Sequence, residues 1–210
     1  MKKNILMSLV AVGLVSSVNA AEDLSSMFSE GKTSGQIRTF YINRDDNTKA
    51  DNQIATAIGG NLKFETAEYH GLSFGTAFYT TNRIFRAMEK DDMGPNTTLL
   101  RNDGSSYSIL GEAYLQYKRG NTAFKGGRQK LDTPLAGSDD ARMVPNLFEA
   151  YVLSNSDIAG TTLIAAHVTK FAQGTFGRVY GGGILAATGG YSVIDDKDQV
   201  GQFEIWVRMQ

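Results

Sequence analysis

The sequence predicts an all-β protein, a transmembrane antiparallel β-barrel, and three observations predict it. Segment after segment alternates with period two, one set of side chains oily and the other small or polar. The chain opens on an export signal yet contains no cysteine. The connections between the alternating segments are long and short by turns. Period two marks a strand, because successive side chains point to opposite faces. An exported domain without disulfides needs another source of stability, and a closed backbone ladder is one. Outer-membrane barrels keep long loops on one side and short turns on the other.

The elements follow in order. "MKKNILMSLVAVGLVSSVNA" carries Lys2 and Lys3, an apolar run from Ile5 to Val15, and the small-x-small ending Val18-Asn19-Ala20. This predicts a signal peptide over residues 1–20, cleaved between Ala20 and Ala21. Its apolar core is shorter than the roughly 20 residues that a spanning helix needs. Residues 21–210 then form one barrel domain. "AEDLSSMFSEGK" reads as a short helix with Asp23 as N-cap, Leu24, Met27 and Phe28 on one side, and Gly31 as the stop. Strands are expected at Gly35–Asn43, Ile54–Glu65, Leu72–Thr80, Tyr107–Arg119, Thr122–Leu131, Phe148–Ser154 and Thr161–Phe171, with an eighth at Val200–Arg208. Most have about the 9–11 residues that a tilted strand takes to cross a bilayer.

In the second and third strands Ile54, Ile58, Leu62, Phe64, Leu72, Phe74 and Phe78 form one set, against Ala55, Ala57, Gly59, Asn61, Lys63 and Glu65. In the fourth, Ile109, Ala113, Leu115 and Tyr117 alternate with Glu112, Tyr114, Gln116 and Lys118; the fifth alternates weakly. Tyr41, Tyr69, Tyr79, Tyr107, Tyr117 and Phe171, near strand ends, suit interfacial girdles. They also suit strands in general. The connections run from the polar "RDDNTKADNQ" to the short "TAEYHG", the long Asn82–Ser106, a tight turn at Gly120-Asn121, the long Asp132–Leu147, the short Asn155–Gly160 and a last Gly-rich stretch. The oily set is therefore expected to face hydrocarbon, and Asn61, Lys63 and Glu65 to face water inside a pore. A soluble periplasmic β-barrel that binds a ligand in its cup predicts the reverse polarity. A net charge of −1 without a basic stripe gives no nucleic-acid footprint. A mean hydropathy of −0.24 excludes a bundle of membrane helices.

One connection differs from the rest. "GRQKLDTPLAGSDDARMVPNLFEAYVLSN", Gly127–Asn155, holds two of the three prolines, the acidic pair Asp139-Asp140, then Arg142, and the apolar Leu135, Ala136, Met143, Val144 and Leu147. A loop with that much oil is expected to fold into the barrel and pack on its wall, stiffened by proline. Together "RTFYINRD" (Arg38–Asp45), "GRQKLDTPLAGSDDARMVPNLFEAY" (Gly127–Tyr151) and "GTTLIAAHVTKF" (Gly160–Phe171) resemble the OprD-type outer-membrane porins, over most of the mature chain up to about Phe171. The second motif is the most specific.

The resemblance implies a barrel of about eighteen strands, often trimeric, in the outer membrane of a Gram-negative cell among lipid and lipopolysaccharide. It implies passive, selective diffusion of small hydrophilic solutes (amino acids, peptides or ions) and no cofactor. Carried onto this sequence, the constriction loop offers Asp139, Asp140 and Arg142, facing a basic ladder of Arg38, Lys63, Arg128 and Lys130. Members of the family are much longer and usually end in an aromatic residue where this chain has Gln210. That predicts the first seven or eight strands of such a barrel.

Other chemistry is weakly signalled. Of two histidines, His70 lies in an expected turn and His167 mid-strand, where it reads as facing the lumen. No Gly-x-Ser-x-Gly or His-Glu-x-x-His pattern occurs. An outer-membrane barrel hydrolase using His167 and a serine is the enzymatic alternative. Asp91-Asp92, Asp195-Asp196 and Asp198 read as solvated loop charge, and no metal site is expected.

Overall fold

The computed structural model describes residues 6–12, 20–44, 53–85, 94–96, 98–101, 103–133, 136–175, 192–193 and 203–209. The elements are β1 (Leu6–Val12), α1 (Leu24–Ser29), β2 (Lys32–Arg44), β3 (Gln53–Glu65), β4 (Leu72–Arg83), β5 (Gly94–Pro95), β6 (Tyr107–Arg119), β7 (Thr122–Gln129), β8 (Leu147–Asn155), β9 (Thr161–Ala172), β10 (Ser192–Val193) and β11 (Phe203–Met209). They form one sheet in the order β1-β2-β3-β4-β6-β7-β8-β9, antiparallel throughout. Both β10 and β11 pair with β9, and the two residues of β5 run parallel to the start of β3. The sheet is open among the described residues.

The seven expected strands are present as β2, β3, β4 and β6–β9. The first begins earlier than expected, because Lys32–Ser34 find ladder partners in Lys63–Glu65. Of the expected eighth strand, Phe203–Met209 pairs with β9, and residues 200–202 lie outside the described residues. Much of the expected leader also lies outside them. Leu6–Val12 runs antiparallel to β2, with Leu6 opposite Ile42 and Val12 opposite Gln36. Ala20 bridges to Glu68, and the Ala21 N–H donates to Glu68 O at 2.8 Å.

Helix α1 forms where its cap predicts. The Ser26 N–H donates to Asp23 Oδ1 at 2.7 Å, and the Asp23 N–H donates to Ser26 Oγ at 2.9 Å, a closed capping box. Its oily side is narrower than expected: only Met27 is buried, and Leu24 and Phe28 are exposed, because six residues present a single position to the sheet. A Cβ on Gly31 would lie 2.4 Å from the Phe64 ring, so glycine lets that ring close over the helix end. The Ser26 backbone N–H, with its hydroxyl, holds the Asp23 carboxyl below the usual carboxylate range. A carboxyl depressed in the folded state stabilises it above the unfolded pKa, and that contribution is lost as pH falls through the folded one. The protection factors of amides 24–29 against hydrogen exchange should fall on acidification through that pKa; Asp23→Ala should show the lower protection already at neutral pH.

The expected polarity holds. Ile58, Leu62, Phe74 and Phe78 are 40%, 62%, 37% and 47% exposed, and Ile37, Leu115, Phe124, Tyr151 and Leu153 share their face. A soluble barrel with an oily centre is thereby excluded. On the opposite, inner face lie Arg38, Lys63, Glu65, Tyr79, Glu112 and Tyr114, half-buried or buried.

Two bulges alter the expected faces. Gly111 is an extra residue between the pairs Ala77–Glu112 and Phe78–Leu110. Alternation therefore restarts there. Ile109 lies inside against the core, not with Leu115, and Leu110 lies outside. Thr169 is extra between the pairs Glu149–Lys170 and Ala150–Val168, and its hydroxyl donates to Glu149 O at 3.0 Å. His167 consequently faces outward opposite Tyr151, correcting its expected lumen position. Tyr79 and Tyr107, expected in girdles, are buried inside at 3% and 5% exposure, because the long loops pack over them.

The ladder is staggered. One continuous rung joins Thr33, Phe64, Thr76, Ala113, Arg128, Glu149 and Lys170. It starts at the second residue of β2, at the short-turn end, and finishes two residues before the end of β9, at the long-loop end. Such a climb is strand tilt written in register, and closed barrels require it, at roughly 35–45°.

Candidate functional site

The inner face of β3 shows where the site begins. Going down the strand its inward residues are Ala55, Ala57, Gly59, Asn61, Lys63 and Glu65. The first three are small because a loop sits on them. Met143, Val144 and Leu147 pack with Leu99 and Leu100 against Phe40, Ala55, Ala57, Ala77, Tyr79 and Tyr107. A Cβ on Gly59 would lie 3.0 Å from Met143 Cε. Ala136 joins a second cluster with Leu131, Phe148, Ala150 and Val168. The segment between β7 and β8 is thus folded inward, as its oil content predicts. The last three residues on that line are polar because the apolar packing stops there.

Hydrogen bonds fix the loop's shape. The Ser138 N–H donates to Asp132 Oδ1 at 2.9 Å and the Asn146 N–H donates to Ser138 O at 2.7 Å. Asn146 Oδ1 accepts from the Gly174 N–H at 2.7 Å, and Val144 O accepts from the Thr175 N–H at 2.9 Å.

At its tip the acidic pair splits. Asp140 reaches the wall: its Oδ1 accepts from Arg38 Nη1 at 2.5 Å and its Oδ2 from Lys130 Nζ at 3.4 Å. Asp139, in the left-handed region at φ 44°, turns away and accepts from Asn146 Nδ2 at 3.0 Å. Arg142 contributes its backbone, whose carbonyl accepts from Arg38 Nη1 at 2.6 Å, while its guanidinium donates to Ala141 O. Arg38 is 7% exposed and further donates to Gln36 Oε1 through Nε at 2.9 Å.

Below this tie the wall carries alternating charge. Lys63 lies 3.3 Å from Glu65 and 3.4 Å from Glu112. Tyr79 donates to Glu112 at 2.7 Å, and Tyr114 donates to Glu65. Lys125 Nζ stands 3.7 Å from the Tyr114 ring centroid. Of the expected basic ladder, Arg38, Lys63 and Lys130 stand inside. Arg128 does not. It pairs in register with Ala113 and Glu149 on the outer face, and Lys125 takes the inner position on β7. Weak alternation hid this, because Gly126 and Gly127 mark neither face; counting back from Gln116 across the hairpin would have found Lys125. A lipid-facing cation costs about 2–4 kcal/mol at the bilayer midplane and close to nothing near the interface. Arg128 sits at the loop end of β7, with Glu149 Oε2 at 3.4 Å.

The structure thus holds an inward loop tied by a carboxylate to wall cations, on a sheet with an oily outside. The sequence profile of the outer membrane porins of the OprD family matches residues 26–177. The chain belongs to the OprD family. Solved structures agree on the fold of this OprD-family chain. OccAB1 of Acinetobacter baumannii is 23% identical with a TM-score of 0.59, over 70% of this chain and 36% of that one. OccK9 (OpdG) of Pseudomonas aeruginosa is 22% identical at 0.58, over 70% and 40%. OpdK of the same organism, solved with vanillate, is 20% identical at 0.57, over 70% and 38%. The chain thus spans well under half the length of these structures. No curated protein sequence gives a significant match. As a member of an outer-membrane porin family, the chain is an outer-membrane β-barrel protein.

Proposed function

We propose that this chain builds the constricted side of a water-filled channel through which small hydrophilic solutes (amino acids, peptides or ions) diffuse passively, with no reaction and no cofactor. The observation that carries this reading is the tie of Asp140 on the folded loop to Arg38 and Lys130 on the wall. Fixed charges of both signs set beside a narrow passage make a local field that orients dipolar solutes and rejects poorly matched ones. The paired acids and bases lower on the wall, Glu112, Glu65, Lys63 and Lys125, continue the same pattern toward the short-turn side. Export is proposed to use residues 1–20 as a leader cut between Ala20 and Ala21, which N-terminal sequencing of the outer-membrane form checks.

The test is ion selectivity of the full-length gene product in planar bilayers. Asp139→Asn together with Asp140→Asn should move the reversal potential toward anions. Asp140→Asn alone should account for most of that move, because Asp139 is held by Asn146 away from the cations. An unchanged reversal potential in both variants removes the loop from the constriction.

A further inference from the structure

We propose that Lys125, on the inner wall of β7, is the residue that holds the anionic group of a passing solute, and that the Tyr114 ring is its seat. This rests on the channel reading above and names the residue on which its discrimination turns. Tyr114 on β6 is 4% exposed. Its ring lies over Gly75 on β4, where a Cβ would come within 2.2 Å of Tyr114 Cζ. The Tyr114 hydroxyl donates to Glu65, which fixes the far end of the ring. Lys125 Nζ stands on that ring, 3.7 Å from its centroid, and Lys63 Nζ lies 5.4 Å from the same centroid. The electron-rich face of the ring attracts both ammonium groups without neutralising either.

Lys125 differs from the other cations of the passage in what it lacks. Asp140 takes Arg38 and Lys130, at 2.5 and 3.4 Å. Glu65 and Glu112 take Lys63, at 3.3 and 3.4 Å. Among the described residues Lys125 has neither a carboxylate partner nor a hydrogen-bond acceptor. Its ladder neighbours are Gln116 on β6 and Val152 on β8, one neutral and one apolar. Lys32 and Lys118 also lack a carboxylate partner there, but they stand at strand ends, at the short-turn mouth. An ammonium carries three N–H donors, and a ring beneath it leaves the others to water or to a ligand. A half-buried cation with open donors holds an anion more strongly than one already shared with a protein carboxylate. Room for a solute lies beside it: Tyr114 and Gln116 line a cavity of about 600 Å³. Glu30, Glu68, Lys32 and Lys118 line its mouth side, so the entrance carries both signs and the preference for anions falls to Lys125.

The experiment reads single channels of the full-length protein in planar bilayers, with acetate exchanged for chloride at constant ionic strength. Acetate should block the wild-type current saturably. Lys125→Gln should raise the half-blocking acetate concentration about tenfold, and Lys125→Arg should keep most of the block. Tyr114→Leu, which removes the ring, should weaken the block as Lys125→Gln does. Tyr114→Phe, which keeps the ring, should stay near the wild type. Lys130→Gln removes a cation that Asp140 already holds, so it should shift the block less than Lys125→Gln. Because the readout is current through an assembled channel, a misfolded variant cannot mimic a lost site. Equal shifts in Lys125→Gln and Lys130→Gln overturn the proposal, since the block then reports the summed field and not a site. So does a block that Lys125→Gln leaves unchanged, or a wild-type current that falls only in proportion to chloride. Those three results leave the channel reading standing, whereas a wild type that conducts nothing overturns both.

Discussion

Asp140→Ala should lower the stability of the folded protein by about 2–4 kcal/mol. Removing one partner of a fully buried ion pair costs about 3–5 kcal/mol, because the other charge stays desolvated; here Asp140 is 24% exposed, and water screens part of the loss. Arg38, 8% exposed, would be left among the described residues with the neutral Gln36 amide and the Arg142 carbonyl as acceptors, and Lys130 would lose the Asp140 charge as well. The loss should be largely absent when Arg38→Gln is present too. A double-mutant cycle, read by urea unfolding in phospholipid vesicles, measures the coupling. Additivity of the two changes to within about 0.5 kcal/mol would show that the two side chains do not depend on each other. The same substitution cuts the loop's polar tie to β2, so open-channel current should become noisier while the mean rises.

Gly59→Ala should be strongly damaging. Its Cβ would lie 2.0 Å from Thr80 O on β4 and 3.0 Å from Met143 Cε on the loop. The first contact is with backbone, which yields only if β3 and β4 separate. The second is with the end of a flexible side chain, which yields if the loop lifts. Together they should cost about 2–4 kcal/mol. Adding Met143→Ala should remove the clash with the loop but not the one with Thr80 O, so it should not restore stability. Wild-type conductance and stability in Gly59→Ala alone would mean that Met143 does not seat the loop.

How much of this was legible follows from what one strand can say about itself. Oily alternation in Ile54–Glu65 and Leu72–Thr80 gave both the strands and their inside-out polarity, and the structure keeps both. The inward loop was legible from its own composition, since Met143, Val144 and Leu147 had to find an apolar wall. The bulges at Gly111 and Thr169 were not legible, because a bulge is a mismatch between two strands and neither sequence alone contains it. Arg128 and Lys125 exchanged roles for a related reason: between Phe124 and Gln129 two adjacent glycines leave nothing oily to set parity. Asp139 and Asp140 looked equivalent in the sequence. A left-handed backbone at Asp139, visible only in three dimensions, sends one carboxylate to the wall and the other back into the loop.

The climbing rung from Thr33 to Lys170 has a last consequence. Arg38, Lys63 and Lys125 belong to β2, β3 and β7, so they stand at different points of the compass around the passage as well as at different heights. On slanted staves descent becomes rotation. In the proposed channel a molecule passed from one cation to the next would therefore be turned like a screw about the axis. Supple solutes would follow that thread, whereas stiff ones of equal girth would have to let go of each grip before reaching the next.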